Sequence, residues 1–221
     1  MRGRAPPPGR PRLILITDPA FGDDTIERCV LAAGAVLPRG TLCLQLRDRS
    51  RLKVSLRLFA ARLRIATRTV GATLILNGHV DVARDVGADG VHLGRGAASV
   101  AAARSVLGAA WISTAAHSDD DVRLASEEGA DAVLVSPVFP TRPPSSLAPA
   151  KEARGLGAIR SACALAGPRT AVYALGGVTA ENAGACVEAG ADGVAVLRAL
   201  LASPDPCRTA RAIDDAMALR W

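Results

Sequence analysis

Two stretches of this 221-residue chain carry residues of the types and spacing that bind phosphate. In the first, Gln45, Arg47 and Arg49 alternate as the apolar run Leu42-Cys43-Leu44-Gln45-Leu46 gives way to charge. The period-two alternation of a strand projects all three to one side. That sets an amide beside two guanidinium forks, which match phosphate oxygens. The second stretch is Ala171 to Arg198. It reads as an apolar strand (Ala171 to Leu175), the turn Gly176-Gly177, a helix opened by Val178-Thr179, and a second strand (Gly193 to Val196) ending on Leu197-Arg198. Glycines let backbone N–H groups approach an anion, a helix start adds unpaired donors and a positive dipole end, and Arg198 adds charge. The plainer readings are a solvated charge run and an ordinary Gly-rich βαβ corner.

Polar residues follow other apolar runs as well: Asn77-Gly78-His79, Gly94-Arg95-Gly96, Thr114 with His117, and Ser136 onward to Thr141-Arg142. Histidine is the first candidate for proton transfer near neutral pH. His79, just past a run and next to a glycine, is the preferred acid/base residue. His92 lies inside a run, and His117 reads equally as a helix-start residue.

These positions can converge only if the elements between them repeat. Short apolar runs do alternate with helix-like segments: Leu13 to Ile16 then Asp23 to Ala35; Leu42 to Leu46 then Arg51 to Val70; Thr73 to Leu76 then a short helix from Val80; Gly90 to Leu93 then Ala97 to Leu107. The alternation continues with Trp111-Ile112 then Asp119 to Glu128, Ala132 to Val135 then a helix from Gly155, the two strands of the second anion stretch, and Arg208 to Leu219. Gly87-Ala88-Asp89-Gly90-Val91, Gly129-Ala130-Asp131-Ala132-Val133 and Gly190-Ala191-Asp192-Gly193-Val194 repeat the form G-A-D-x-V between helix and strand. Each copy reads as a C-terminal helix glycine, a tight turn and a buried parallel strand. Eight such units favour a single-domain α/β fold, a (β/α)8 TIM barrel, over an open doubly wound sheet. In a barrel, every strand's C-terminal end opens on one face, and function collects there.

Composition narrows the ligand. The formal net charge is +6, but Arg2, Arg4, Arg10 and Arg12 sit in or beside a Pro-rich start, so the body is only mildly basic. Residues 1–11 read as a disordered Arg/Pro-rich tail and 12–221 as the barrel. Three Phe, two Trp and one Tyr leave little for stacking bases, which points to small anions and away from nucleic acid. The basic segment Arg51 to Val70 has the spacing of a solvent-facing barrel helix. Five cysteines without CxxC spacing read as thiols of a reducing cytoplasm. No targeting segment or membrane span is expected. Pro143, Pro144 and Pro149 mark residues 142–154 as a loop that could cover the mouth. The oligomeric state is left open.

The chain resembles the thiamine phosphate synthase/TenI family. The resemblance rests on an ordered set: Ile16-Thr17-Asp18, Gln45-x-Arg47-x-Arg49, Ala88-Asp89-Gly90-Val91-His92-Leu93-Gly94, Ala116-His117-Ser118, Pro137-Val138-Phe139-Pro140-Thr141, Gly176-Gly177-Val178-Thr179 and Ala189-Gly190-Ala191-Asp192-Gly193-Val194. It implies a (β/α)8 barrel of thiamin biosynthesis. Synthases of the family join a hydroxymethylpyrimidine diphosphate to a thiazole phosphate, releasing diphosphate through a carbocation-like intermediate with Mg2+. TenI-like relatives bind or isomerise the thiazole phosphate. Carried over, the resemblance assigns thiazole phosphate to Gly176, Gly177, Leu197 and Arg198, with Thr141 and Arg142 over the thiazole. It assigns pyrimidine diphosphate to Gln45, Arg47, Arg49 and Asn77.

The departures from the synthase pattern decide the expectation. Gly78 and Ala97 stand where synthases carry the aspartates that hold Mg2+, Ala115 where they carry serine, and Pro144 where they carry lysine; Lys151 follows seven residues later. Losing groups that neutralise a departing diphosphate costs orders of magnitude in rate. Asn77-Gly78-x-Val80-Asp81 resembles TenI-like members, although Pro137 replaces the histidine of their tautomerase sites. The expectation is therefore a TenI-like enzyme that binds or isomerises a thiazole phosphate without metal or cofactor, with His79 and Thr141 as catalytic residues. The alternatives are an active synthase using Mg2+, its diphosphate site rebuilt from Arg47, Arg49, Arg95, Arg142 or Lys151, and a non-catalytic phosphate-binding regulatory barrel.

Overall fold

Short strands that carry apolar residues on both faces must be covered on both. In the computed structural model, which describes residues 10–141 and 152–218, the chain does this by closing on itself. Strands β1 (Leu13–Ile16), β2 (Leu42–Leu46), β3 (Thr73–Asn77), β4 (Gly90–Leu93), β5 (Trp111–Ala116), β6 (Ala132–Val135), β7 (Ala171–Leu175) and β8 (Gly193–Val196) form a closed parallel barrel in sequence order. Around it lie α1 (Asp23–Val36), α2 (Lys53–Val70), α3 (Val80–Asp85), α4 (Val100–Leu107), α5 (Asp119–Glu127), α6 (Gly155–Leu165), α7 (Ala183–Glu188), α8 (Arg198–Leu201) and α9 (Pro206–Ala218). This is the (β/α)8 barrel the alternation predicts.

The G-A-D-x-V echo has a structural cause beyond its glycines. The N–H groups of Ala88, Ala130 and Ala191 bond back to the carbonyls of Ala83, Ala125 and Cys186, closing each helix with a Schellman turn. The aspartate that follows then reaches the preceding strand. Asp89 accepts from the N–H of Leu74 at 2.7 Å, Asp131 from Ile112 at 2.8 Å and Asp192 from Val172 at 2.8 Å. Each copy thus pins the N-terminal edge of one strand to the entry of the next. Arg64 and Arg104 hold two of these carboxylates, Asp89 and Asp131, from outside at 2.6 and 2.8 Å.

The lumen is filled by Ile14, Ile16, Cys43, Ile75, Leu134 and Tyr173. At its base Trp111 meets Tyr173 edge-on, ring centroids 6.0 Å apart, and the Tyr173 hydroxyl donates to the Pro11 carbonyl at 2.7 Å. Of the stretch read as a disordered tail, Arg10 also bonds the Arg169 carbonyl at 2.6 Å, so residues 10 and 11 belong to the barrel base. Residues 1–9 lie outside the described residues. These contacts fill the base among the described residues, and the strands' C-terminal ends lie at the opposite end of the barrel.

The basic helix α2 carries its charge within the outer shell. Arg51 pairs with Asp23 and Asp48, Lys53 with Asp81, Arg57 with Asp81 and Asp85, and Arg62 with Asp24 and Glu27. Among the described residues, no helix is long and apolar enough to cross a membrane. All five cysteines are free; burial pushes Cys29, Cys43 and Cys186 up to about 12, so they remain thiols.

Candidate active site

The strand ends open onto a cavity of about 630 Å3, a size suited to small-molecule ligands. Both anion-binding stretches line it. Gln45, Arg47, Arg49 and Asn77 stand on one side, Gly176, Gly177, Leu197 and Arg198 on the other, with Thr141 beside the glycines.

The floor on the first side is a pair of amides. Gln45 is only 1% exposed. Its Oε1 accepts from Asn77 Nδ2 at 3.0 Å, while its Nε2 has no partner among the described residues. A buried donor without an acceptor costs about 1–3 kcal/mol, and this one is left open at the cavity that Gln45 lines. Above it, buried Thr17 secures the strand's exit, accepting from the Arg47 N–H at 2.8 Å and donating to the Arg47 carbonyl at 3.1 Å. Partial burial, then the neighbouring charge of Arg49, lowers the pKa of Arg47 from its ordinary value, and Asp18 acts the other way. Arg49 reaches across to the exit of β4, its Nη2 3.8 Å from where a Cβ on Gly94 would stand. Arg95 lines the same wall. Thr17 is a positioning residue, which the sequence pattern included in Ile16-Thr17-Asp18 without giving it a role.

The second side differs from expectation in its donors. The helix read as opening at Val178-Thr179 begins at Ala183. Asn182 intervenes, its Oδ1 accepting from the Thr179 N–H at 2.8 Å and its Nδ2 donating to the Gly177 carbonyl at 3.0 Å. A short polar side chain that bonds the preceding backbone competes with helix formation, so a turn forms first and the seat belongs to it. The N–H groups of Gly176 and Gly177 find no acceptor among the described residues. The loop after β6 is laid against this turn, Val138 and Phe139 donating to the carbonyls of Leu175 and Gly176 at 2.9 and 3.0 Å. Gly176 and Gly177 have φ of 98° and 66°, and a Cβ on either would stand 2.7 Å from Pro137 or Phe139. Only glycine fits here.

The histidines also differ from expectation. His79 occupies the position before α3 and is not among the residues lining the cavity, whereas His92 and His117 are. A residue beyond the strand turns outward with the helix that follows, which the local sequence does not reveal. His117 Nδ1 lies 2.9 Å from the Ser136 carbonyl. A carbonyl only accepts, so that nitrogen carries the proton and Nε2 of the neutral ring is the acceptor. His92 is buried, 3.0 Å from the Ser113 hydroxyl. Burial, then the charges of Arg47 and His117, push it down to about 4, so it is neutral at pH 7. Arg142, assigned to the thiazole, lies outside the described residues, as do Pro144, Lys151 and most of the covering loop.

The model of the family "Thiamine monophosphate synthase" matches residues 13–200. The chain belongs to this family. It is 37% identical over 206 residues to a putative thiamine-phosphate synthase of Geobacter sulfurreducens, covering 91% of this chain and 92% of the relative. To the thiamine-phosphate synthase of Chromobacterium violaceum it is 38% identical over 216 residues, covering 94% and 96%. Its fold matches the thiamine phosphate pyrophosphorylase from Pyrococcus furiosus at a TM-score of 0.80 with 25% identity, covering 94% of this chain and 96% of that one. These names favour the synthase alternative over the TenI-like reading.

Family membership raises the question of Mg2+, which takes hard oxygen ligands, typically one or two carboxylates together with substrate phosphates. This member of the thiamine monophosphate synthase family does not present them. No carboxylate is among the described residues lining the cavity, and Gly78 and Ala97 stand at the two expected positions. Nearby acids are engaged. Asp18 caps the turn at Ala20, Asp48 holds Ser50 and Arg51, and Asp121 accepts from the N–H groups of His117 and Ser118. Among the described residues no group of three or more His, Cys, Asp or Glu could hold a metal ion. The donor set does not fit Mg2+; it is cationic instead, with Arg47, Arg49, Arg95 and Arg198 around one cavity.

Proposed function

We propose that the protein is a thiamine-phosphate synthase, coupling hydroxymethylpyrimidine diphosphate to a thiazole phosphate with release of diphosphate. The observation that carries this reading is that two differently built anion seats face one cavity, one of them holding the buried, unpartnered Nε2 of Gln45. An enzyme that only isomerised a thiazole phosphate would need one seat. The tautomerase reading also lacks a histidine at its two expected positions, since Pro137 stands at one and His79 is outside the cavity lining.

In the proposed reaction the C–O bond between the pyrimidine methylene and the diphosphate breaks, its electron pair leaving with the diphosphate oxygen. The lone pair of the thiazole ring nitrogen forms the new C–N bond to the same carbon. No proton need be delivered to the leaving group. The protein's contribution is to bring the two ligands together and to stabilise charge. Gly176, Gly177, Leu197, Arg198 and Thr141 hold the thiazole phosphate, with Arg142 carried over from the resemblance. Gln45 and Asn77 orient the diphosphate, and Arg47 and Arg49 oppose its charge.

The test is a steady-state assay with both substrates, following thiamine phosphate and diphosphate together. Stoichiometric formation of the two is expected. Conversion of the thiazole phosphate alone into an isomer, with no diphosphate from the pair, would return the protein to the TenI-like reading.

A further inference from the structure

The mismatch between the expected metal and the residues present has a counterpart on the same wall. Arg47, Arg49 and Arg95 line one cavity with no carboxylate among its described lining residues. None of the three has an ion-pair partner within 4.0 Å among the described residues, whereas Arg51 and, on α2, Lys53, Arg57, Arg62 and Arg64 are paired. Arg49 spans from the exit of β2 to that of β4, where its Nη2 comes within 3.8 Å of the Cβ position of Gly94, next to Arg95. The acids in reach do not offset the group. Asp18 faces Arg47 but is committed to the Ala20 N–H at 3.1 Å. Asp121, in a groove shared with Arg95 and His117, accepts two backbone N–H groups at 2.7 and 2.9 Å. Cations gathered in this way repel one another until a polyanion arrives. Below them, the Nε2 donor of Gln45 waits for an acceptor.

We infer that the diphosphate is held and neutralised by a guanidinium cluster of Arg47, Arg49 and Arg95, with no carboxylate-bound divalent cation, and that Arg95 is a substrate-binding residue of this cluster. The inference rests on the proposed synthase reading, and deepens it. Arg95 leaves β4 two residues before Ala97, so it stands beside a position where a metal-binding acid is expected and supplies positive charge directly. Guanidinium forks bond phosphate oxygens in pairs. The group they serve carries its charge on several oxygens, and the C–O electron pair adds to that charge as the bond breaks. Three forks can follow this development without proton transfer.

The test is titration calorimetry of inorganic diphosphate into the full chain, in excess EDTA and again in excess Mg2+, for the wild type, Arg95→Ala and Arg95→Lys. Binding in EDTA is expected, weakened roughly 10- to 100-fold by Arg95→Ala and partly restored by Arg95→Lys. Thermal melting checks that the variants fold; Arg95 is exposed, so the midpoint should hold. Binding that requires Mg2+, or an Arg95→Ala variant that binds as the wild type does in EDTA, would overturn the inference. A parallel assay with both substrates separates the two claims. Diphosphate release only in Mg2+ leaves the synthase reading standing and removes the cluster's role. Metal-free binding through Arg95 with no release from the substrate pair does the reverse.

Discussion

The two sides of the barrel mouth present donors by different means. Beyond β7 and β8 they come from the backbone, at a turn where a Cβ would stand 2.7 Å from Pro137 or Phe139. Beyond β2, β3 and β4 they come from side chains on strands whose backbones satisfy one another. A backbone seat is inseparable from the loop packing that shapes it, so it tolerates almost no substitution. A side-chain seat can be rebuilt residue by residue while the barrel stays intact, because the strands beneath are held by lumen packing and by the aspartate pins at the other end. Gly78, Ala97 and Ala115 on that side show the freedom in use. A seat fixed by backbone packing and a seat built from replaceable side chains can therefore share one cavity.

The sharpest break of this contrast is Gly177→Ala. With φ at 66° and Phe139 and Pro140 in the way, the turn must move. Thiazole phosphate affinity should fall by at least about 100-fold, the protein losing about 1–3 kcal/mol of stability, while inorganic diphosphate binding, read by calorimetry, is retained. Equal loss at both seats would show that they are not independent.

His92 lies in the floor beneath both seats, and its effect is on stability. Its pKa falls from 6.5 to about 4 in the folded chain, so between those values the unfolded chain binds the extra proton. Its contribution is complete above pH 6.5 and declines by about 3 kcal/mol as pH falls to 4. His92→Gln should flatten that decline, as followed by urea denaturation at several pH values; an unchanged slope would assign it to other groups.

A smaller effect is expected from Arg47→Met. Diphosphate affinity should drop roughly 10- to 100-fold with thiazole phosphate binding unchanged. The unliganded protein should melt no lower, since a half-buried charge beside Arg49 is removed. A lower melting point would make Arg47 structural. Smallest of all is His79→Ala, expected to alter turnover less than about twofold, because the ring is outside the cavity lining. A large loss of kcat would reinstate it as the acid/base residue.

Much of this was legible along the chain. The barrel follows from largely apolar runs spaced by helical segments, since a strand apolar on both faces has to be covered on both sides. The alternation of Gln45, Arg47 and Arg49 and the pair Gly176-Gly177 were readable because strand period and glycine freedom are local properties. Other features depend on neighbours distant in sequence. β5 extends through Ser113–Ala116, residues with little strand signature, because β4 and β6 pair with it on both edges. The echo's aspartates look like turn residues but bond strands 15 to 20 positions earlier. The local features that favoured His79, a strand end and a neighbouring glycine, did not decide exposure to the cavity, which His117 lines and His79 does not.

The sequence by itself determined the barrel, the family and the two stretches able to bind anions, because period, composition and motif order act along the chain. Only the tertiary structure decided that the two stretches face one cavity, that Arg95 joins Arg47 and Arg49 in lining it, and that the Gly176-Gly177 donors belong to a turn and not a helix. Those facts depend on which strand ends become neighbours when the barrel closes.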